Sequence, residues 1–247
     1  MTALAQGSRV SDSGRVVTWA FTGRAGGVSE HPFSDLNLAG QVGDDPLAVQ
    51  ANRGRAAALL GLDREQLAVV NAVHGAGVAV VDRPGEVADV DAVITTEVGL
   101  GLVALAADCV PMALLDVEAG MVAAVHCGWK GIGAGIVPAT VSRMRSMGAA
   151  RIEAVIGPHA CVACYSVHRG RVEELEASTD AEVARAASRR FGTQWHIDVG
   201  GGVRAQLSGL GIPFSSIDRC TIEDPVLFSY RRDRITGRQG VLVAVGS

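Results

Sequence analysis

The chain has 247 residues, a formal net charge of −4 and a hydrophobic fraction of 48%. That is enough apolar material for a substantial core, the negative balance argues against a nucleic-acid binder, and no apolar run reaches the ~18 residues of a membrane span. Five cysteines, an odd number, do not suggest a disulfide framework, and with no basic-then-apolar leader pattern the expected location is the cytoplasm.

Residues 1–15 are polar and are expected to fray. VVTWAFTGRAGGVSE then reads as a strand running into a glycine-rich loop, and residues 31–46 as irregular chain around Pro32, Asn37 and the turn from Gly43 to Pro46. From Pro46 to Leu60 the spacing is helical, opened by acidic residues and ended before Gly61. Strands are predicted at 67–73, 78–82, 91–95, 100–106, 111–116 and 121–126. A helix is predicted from Gly131 to Met147, stopped by Gly148, and RIEAVIGP reads as a further strand. Residues 169–190 read as one charged amphipathic helix and 198–210 as another helical segment. The last stretch, VLFSYRRDRITGRQGVLVAV, reads as a hairpin with Arg231, Arg232, Arg234 and Arg238 about its turn. Without a long linker or an internal repeat, the expectation is an α+β fold. One domain over residues 16–247 would hold mixed β-sheets with flanking helices.

The stretch AADCVPMALLDVEAGMVAAVHCGWKG concentrates the chemistry. PMALLD and MVAAVH flank a turn of Glu118, Ala119 and Gly120, so pairing Asp116 with Met121 sets His126 opposite Pro111. Cys109 lies two residues beyond Pro111 and shares the face of His126, because strand side chains alternate. Either residue alone is more often a buried structural side chain than a ligand; the pair on one face is a candidate site. His74 closes the strand LAVVNAVHG just before Gly75 and Gly77. One thiol and two imidazoles make a shell for zinc with an open fourth position. Their separations, 35 residues from His74 to Cys109 and 17 from Cys109 to His126, exceed the spacing of finger-type structural sites. Cys161 and Cys164 form the only CxxC, where burial competes with a second metal site helped by His159 and His168.

FTGRAGGVSE, SDLNLAG, VGDDP, the VHG at His74, ADCVP, AVHCGWKG, IGP…CY and FSYRRD…TGR occur in one order from about Phe21 to Gln239. In these motifs the chain resembles the YfiH-like family, whose members carry the label multicopper polyphenol oxidoreductase or laccase-domain protein. The resemblance implies a fold of mixed sheets with flanking helices, similar to deamidating toxins. It also implies a zinc enzyme of purine nucleosides: phosphorolysis of adenosine, inosine or methylthioadenosine, with adenosine deamination. By the same likeness His74, Cys109 and His126 hold the metal. The partners are then a purine nucleoside and phosphate, with no nucleic acid and no membrane. Arg24, Asn37, Lys130 and Arg232 are the candidates for holding substrate and phosphate, with Arg238 also available. Asp108 is the candidate catalytic residue, as acid/base or as a positioner of its neighbours. The chain departs from the family pattern at Ala72, Cys127 and Lys130, in CVACY, and at Gly200–Gly202 after Asp198.

Three other readings stand beside this one. The first is a metal-free cysteine hydrolase or amidase, with Cys109 as nucleophile and His126 as base. The second is a copper-dependent polyphenol oxidoreductase, and the third an editing factor in cell-wall synthesis. The copper reading is poor in ligands, since the chain has six histidines and no two are separated by a single residue. The usual zinc-deaminase signature is also absent.

Overall fold

Two six-stranded sheets lie face to face in the computed structural model, which describes residues 3–246. The first runs in the order Ala5–Val10, Val16–Phe21, Gln239–Gly246, Gly101–Ala106, Leu67–Asn71 and Gly85–Ala88. The second runs Phe214–Ser216, Glu153–Ile156, Val110–Asp116, Met121–Cys127, Ala92–Thr95 and Val78–Val80. Both are mixed, with parallel pairs such as Leu67–Asn71 beside Gly101–Ala106 and antiparallel ones such as the central hairpin. A small third sheet joins Ser166–Val167, Gln194–Ile197 and Ser188–Phe191. The α+β architecture with flanking helices is as expected.

Alternation along the central hairpin builds the layers. Ala113, Leu115, Val122 and Ala124 meet Phe21, Val70, Leu102 and Val243 of the first sheet in one core. Met112, Leu114, Ala123 and Val125 point the other way, onto Val137 and Val141 of one helix and Val203 and Leu207 of another. With both faces covered, every residue of the two hairpin strands is buried. The outer face of the first sheet is closed by Leu36, Leu38, Ala56 and Ala57 over Val69 and Val103.

Several expectations are corrected. Residues 1–15 were expected to fray, but Ala5–Val10 pairs with Val16–Phe21 over six registered positions as an edge strand; Met1 and Thr2 lie outside the described residues, as does Ser247 at the other end. The helix expected at 131–147 is two, Trp129–Ala134 and Ile136–Ser146, because Gly135 takes a left-handed φ of 78°. The helix expected at 169–190 breaks at Asp180, whose side chain accepts from the N–H groups of Glu182 and Val183 and caps a new helix, Ala181–Ala187. The C-terminal hairpin does not form. Gln239–Gly246 is flanked on both sides, by Val16–Phe21 and by Gly101–Ala106, so no edge remains for residues 226–238 to pair with. That segment is a loop with one short helix, Tyr230–Asp233, capped by Ser229. The strands Gly85–Ala88 and Phe214–Ser216 carry too little apolar alternation to be read from sequence.

The glycines after Asp198 have a steric reason. A Cβ on Gly200 would come within 2.1 Å of His159 Nε2, so the buried imidazole of His159 occupies the space a larger residue would need.

Candidate functional site

The strand Leu67–Asn71 belongs to the first sheet and the central hairpin to the second, and their ends meet at one edge of the sandwich. His74 follows the former; Cys109 and His126 stand at the open end of the latter, with Pro111 opposite His126 as the alternation predicts. One ligand atom from each of His74, Cys109 and His126 lies within 4.8 Å of the others. The two imidazoles stand edge to face, with ring centroids 4.8 Å apart. His126 is buried, Cys109 half-buried and His74 exposed toward the opening.

Asp91, which sequence reasoning missed, organises this cluster. It is fully buried just before the strand Ala92–Thr95, which pairs with Met121–Cys127 and so sets Asp91 beside His126. His126 Nδ1–H donates to Asp91 Oδ1 at 2.8 Å, leaving Nε2 to face the cluster. The same carboxylate accepts backbone N–H bonds from His74 at 2.9 Å and Gly75 at 2.7 Å. These bonds hold His74 at a left-handed φ of 61°, a conformation costly for a residue with a Cβ. One buried carboxylate therefore aims both histidines. An acidic residue opening the apolar strand DAVIT was the available signal.

Burial alone would push the Cys109 thiol up, but the charge of His126 and hydrogen bonds from His126 and His74 prevail and bring it down to about 6. Burial likewise opposes charge on His126, yet the Cys109 thiolate and the Asp91 hydrogen bond raise it to about 9. Without a metal, the pair is thiolate and imidazolium at neutral pH. The donor set, one soft thiolate and two imidazoles, suits a borderline-soft divalent ion. Space is kept for it: a Cβ on Gly128 would sit 3.0 Å from both Cys109 Sγ and His74 Nδ1. The residues present fit a metal ion.

The cluster opens into a cleft of about 670 Å³, within the range of small-molecule sites. Trp129, Tyr165 and Tyr230 give it aromatic walls. Arg171, Arg231, Arg234 and Arg238 line it as well, and among the described residues none of the four is in an ion pair. Arg231 lies over the Tyr165 ring at 4.6 Å and Arg238 over Tyr230 at 5.8 Å.

Most of the cations and polar groups expected to hold substrate lie elsewhere. Arg24 donates to the Ser34 carbonyl, lies over the Phe228 ring and approaches Asp233 at 3.7 Å. Arg232 is spent on Asp233 and on the carbonyls of Thr221 and Leu227. Asn37 is fully buried; its side chain donates to the Ala39 carbonyl and to Asp44 and accepts from the Arg238 N–H. Lys130 is exposed above Trp129, on a helix of only six residues. None of these four lines the cleft, whereas Arg238 does. Asp108 does line it, but its carboxylate accepts from Thr221 Oγ1 at 2.7 Å and from the Arg231 N–H at 2.6 Å. Those bonds anchor the arginine-bearing segment next to Cys109. Position along the chain could not separate structural from cleft-lining arginines, because both kinds sit in the same loop.

A family model described as multi-copper polyphenol oxidoreductase laccase matches residues 18–246. A purine nucleoside phosphorylase of Streptomyces coelicolor is 50% identical over 227 residues, covering 89% of this chain and 92% of the relative. Another, from Corynebacterium glutamicum, is 42% identical over 236 residues, covering 93% and 94%. The crystal structure of YfiH from Bacillus licheniformis superposes with a TM-score of 0.87 at 27% identity, covering 96% of this chain and 98% of that one. The likeness expected from the motifs is borne out.

Proposed function

The chain belongs to the multi-copper polyphenol oxidoreductase laccase family, and within it we propose a zinc-dependent purine nucleoside phosphorylase that also deaminates adenosine. The observation that carries this reading is the convergence of His74, Cys109 and His126 at the floor of a cleft lined by four arginines. The relatives named purine nucleoside phosphorylase support it. His74, Cys109 and His126 hold the zinc, which supplies Lewis acidity toward the bound substrate. In phosphorolysis a phosphate oxygen bonds to the ribose C1′ as the C1′–N9 bond breaks. The base leaves with that electron pair and takes up a proton, and ribose 1-phosphate remains. Arg171, Arg231, Arg234 and Arg238 neutralise and orient the incoming phosphate, while Trp129, Tyr165 and Tyr230 offer faces for the purine and sugar. Deamination exchanges the C6 amino group of adenosine for oxygen from water, releases ammonia, and needs no phosphate. Asp108 is a positioning residue that fixes Cys109 against the Arg231 segment.

The copper reading loses ground because the histidines are dispersed. His159 and His196 turn Nδ1 to the carbonyls of Gly157 and Val162, and among the described residues only one cluster contains histidine.

Inosine cleavage should require added phosphate and yield ribose 1-phosphate; equal cleavage without phosphate removes the phosphorylase reading. Arg238→Ala should raise the KM for phosphate by about ten- to a hundredfold, the equivalent of one charge-assisted contact of about 1.5–3 kcal/mol. Adenosine deamination should change far less. Lys130→Ala and Arg24→Ala should change the phosphate KM far less, because neither side chain lines the cleft.

A second reading draws on the thiolate–imidazolium pair with Asp91 behind His126, the arrangement of a cysteine hydrolase. Such an enzyme needs one histidine at its thiol. Here His74 converges as well, held in a costly backbone conformation, which favours the metal.

A further inference from the structure

Cys161, Cys164, Cys220 and Glu223 lie outside the cleft and take no part in the chemistry above. Their ligand atoms all fall within 4.8 Å of one another. In sequence they are two pairs of equal spacing, C-x-x-C and C-x-x-E, separated by more than fifty residues and brought together only by the fold. We propose that these three thiolates and one carboxylate bind a second zinc ion, in a closed structural site.

The geometry fits that ion better than the alternatives. Four ligands at zinc-bond lengths of about 2.0–2.3 Å form a tetrahedron with edges of roughly 3.3–3.8 Å. The four ligand atoms already lie within 4.8 Å of one another, with Cys161 Sγ 3.9 Å from Glu223 Oε2, so side-chain rotation can close the rest, and Glu223 is exposed and able to move. Each pair sits on a turn of the kind that aims two ligands at one point. Cys164 and Tyr165 donate their N–H groups to the Cys161 carbonyl at 3.1 Å, and Asp224 donates to the Cys220 carbonyl at 3.0 Å. The Cys161 N–H points at Cys220 Sγ, 3.3 Å away, and ties the second pair to the first. A disulfide would use two of these sulfurs and leave the third, whereas all five cysteines are free. Calcium or magnesium would want oxygen donors. His159 and His168, the partners expected from sequence, are not in the cluster; Cys220 and Glu223 take their place.

The position of the site gives it a task. Tyr165, a wall of the cleft, directly follows Cys164. Thr221, between Cys220 and Glu223, donates to Asp108 beside Cys109. An ion here ties the loop after Glu153–Ile156 to the loop before the arginine-bearing segment, and so braces the cleft from behind. The proposal does not depend on which reaction the cleft performs.

The test is the zinc content of the full chain, purified without added metal and measured by inductively coupled plasma mass spectrometry. Wild type should carry two zinc ions per chain, and His74→Ala should keep one. Cobalt titrated into metal-stripped His74→Ala should give strong thiolate-to-cobalt charge-transfer bands, which Cys220→Ser weakens by at least a third. If the cysteine variant does not fold, Glu223→Ala serves instead, since that side chain is exposed; it should weaken zinc at least tenfold in competition with a chelator. A His74→Ala protein that holds no zinc and shows no charge transfer overturns the proposal. So does an affinity unmoved by Glu223→Ala, or a disulfide found among Cys161, Cys164 and Cys220 in the native chain.

Discussion

Cys109→Ser should strip the chain of the metal in its cleft and lower nucleoside phosphorolysis on the order of a thousandfold. A serine hydroxyl stays protonated where the Cys109 thiol ionises near pH 6, so only the two imidazoles would be left to hold a divalent ion. The Lewis acidity lost with the ion is worth several kcal/mol, and each 1.4 kcal/mol is tenfold in rate. The fold should survive, since the change is isosteric and at the cleft surface. Metal analysis with an inosine phosphorolysis assay checks this. Wild type stripped with EDTA should match the variant and recover with zinc. In the stripped protein, iodoacetamide should label Cys109 at a rate that is level above about pH 6 and falls below it, as the thiolate is lost. Zinc should protect the thiol. Turnover that survives chelation but stops on alkylation would transfer the site to the cysteine hydrolase.

Asp91→Ala should have the largest effect on stability of any single change near the site, about 3–5 kcal/mol, or roughly 6–20 °C in Tm for a chain of this size. It would leave unpaired the buried His126 Nδ1–H and the N–H groups of His74 and Gly75, and would release His74 from its left-handed conformation. Asp91→Asn keeps the volume and one acceptor but turns an amide N–H toward backbone donors. It should cost less stability and about ten- to a hundredfold in metal affinity. Burial would raise the Asp91 carboxyl, but the bond from His126 and those from Gly75 and His74 hold it below its ordinary value. Its contribution is therefore complete at neutral pH and is lost as the pH falls below the ordinary carboxylate range toward that lowered value. Thermal melts of wild type between neutral and acid pH should show this decline, and Asp91→Asn should flatten it. A variant that melts with wild type and binds zinc equally well would show that Asp91 does not organise the cluster.

The register of the central hairpin followed from apolar alternation alone and set His126 opposite Pro111; Cys109, one residue before the strand, meets His126 there. The helix breaks at Gly135 and Asp180 were marked by residues favouring a left-handed turn and an N-cap, yet the surrounding helical spacing outweighed them. Asp91 was hidden for a different reason: an acidic residue before a strand is ordinary, and only burial beside His126 makes it an organiser.

By itself the sequence determined the period-two strands, the α+β class, the family likeness and the residues at strand ends that could bind a metal. These rest on interactions between near neighbours or on a repeating burial pattern, both written locally. The tertiary structure decided which cations face the cleft: Arg171 from a helix and Arg231, Arg234 and Arg238 from the C-terminal loop, and not Arg24, Lys130 or Arg232. It also decided that Cys161 and Cys164 meet Cys220 and Glu223. Loop side chains carry no periodicity, and an arginine paired with an acidic neighbour looks the same in sequence as one that lines the cleft. Their roles depend on how two sheets pack and which loops that packing brings together.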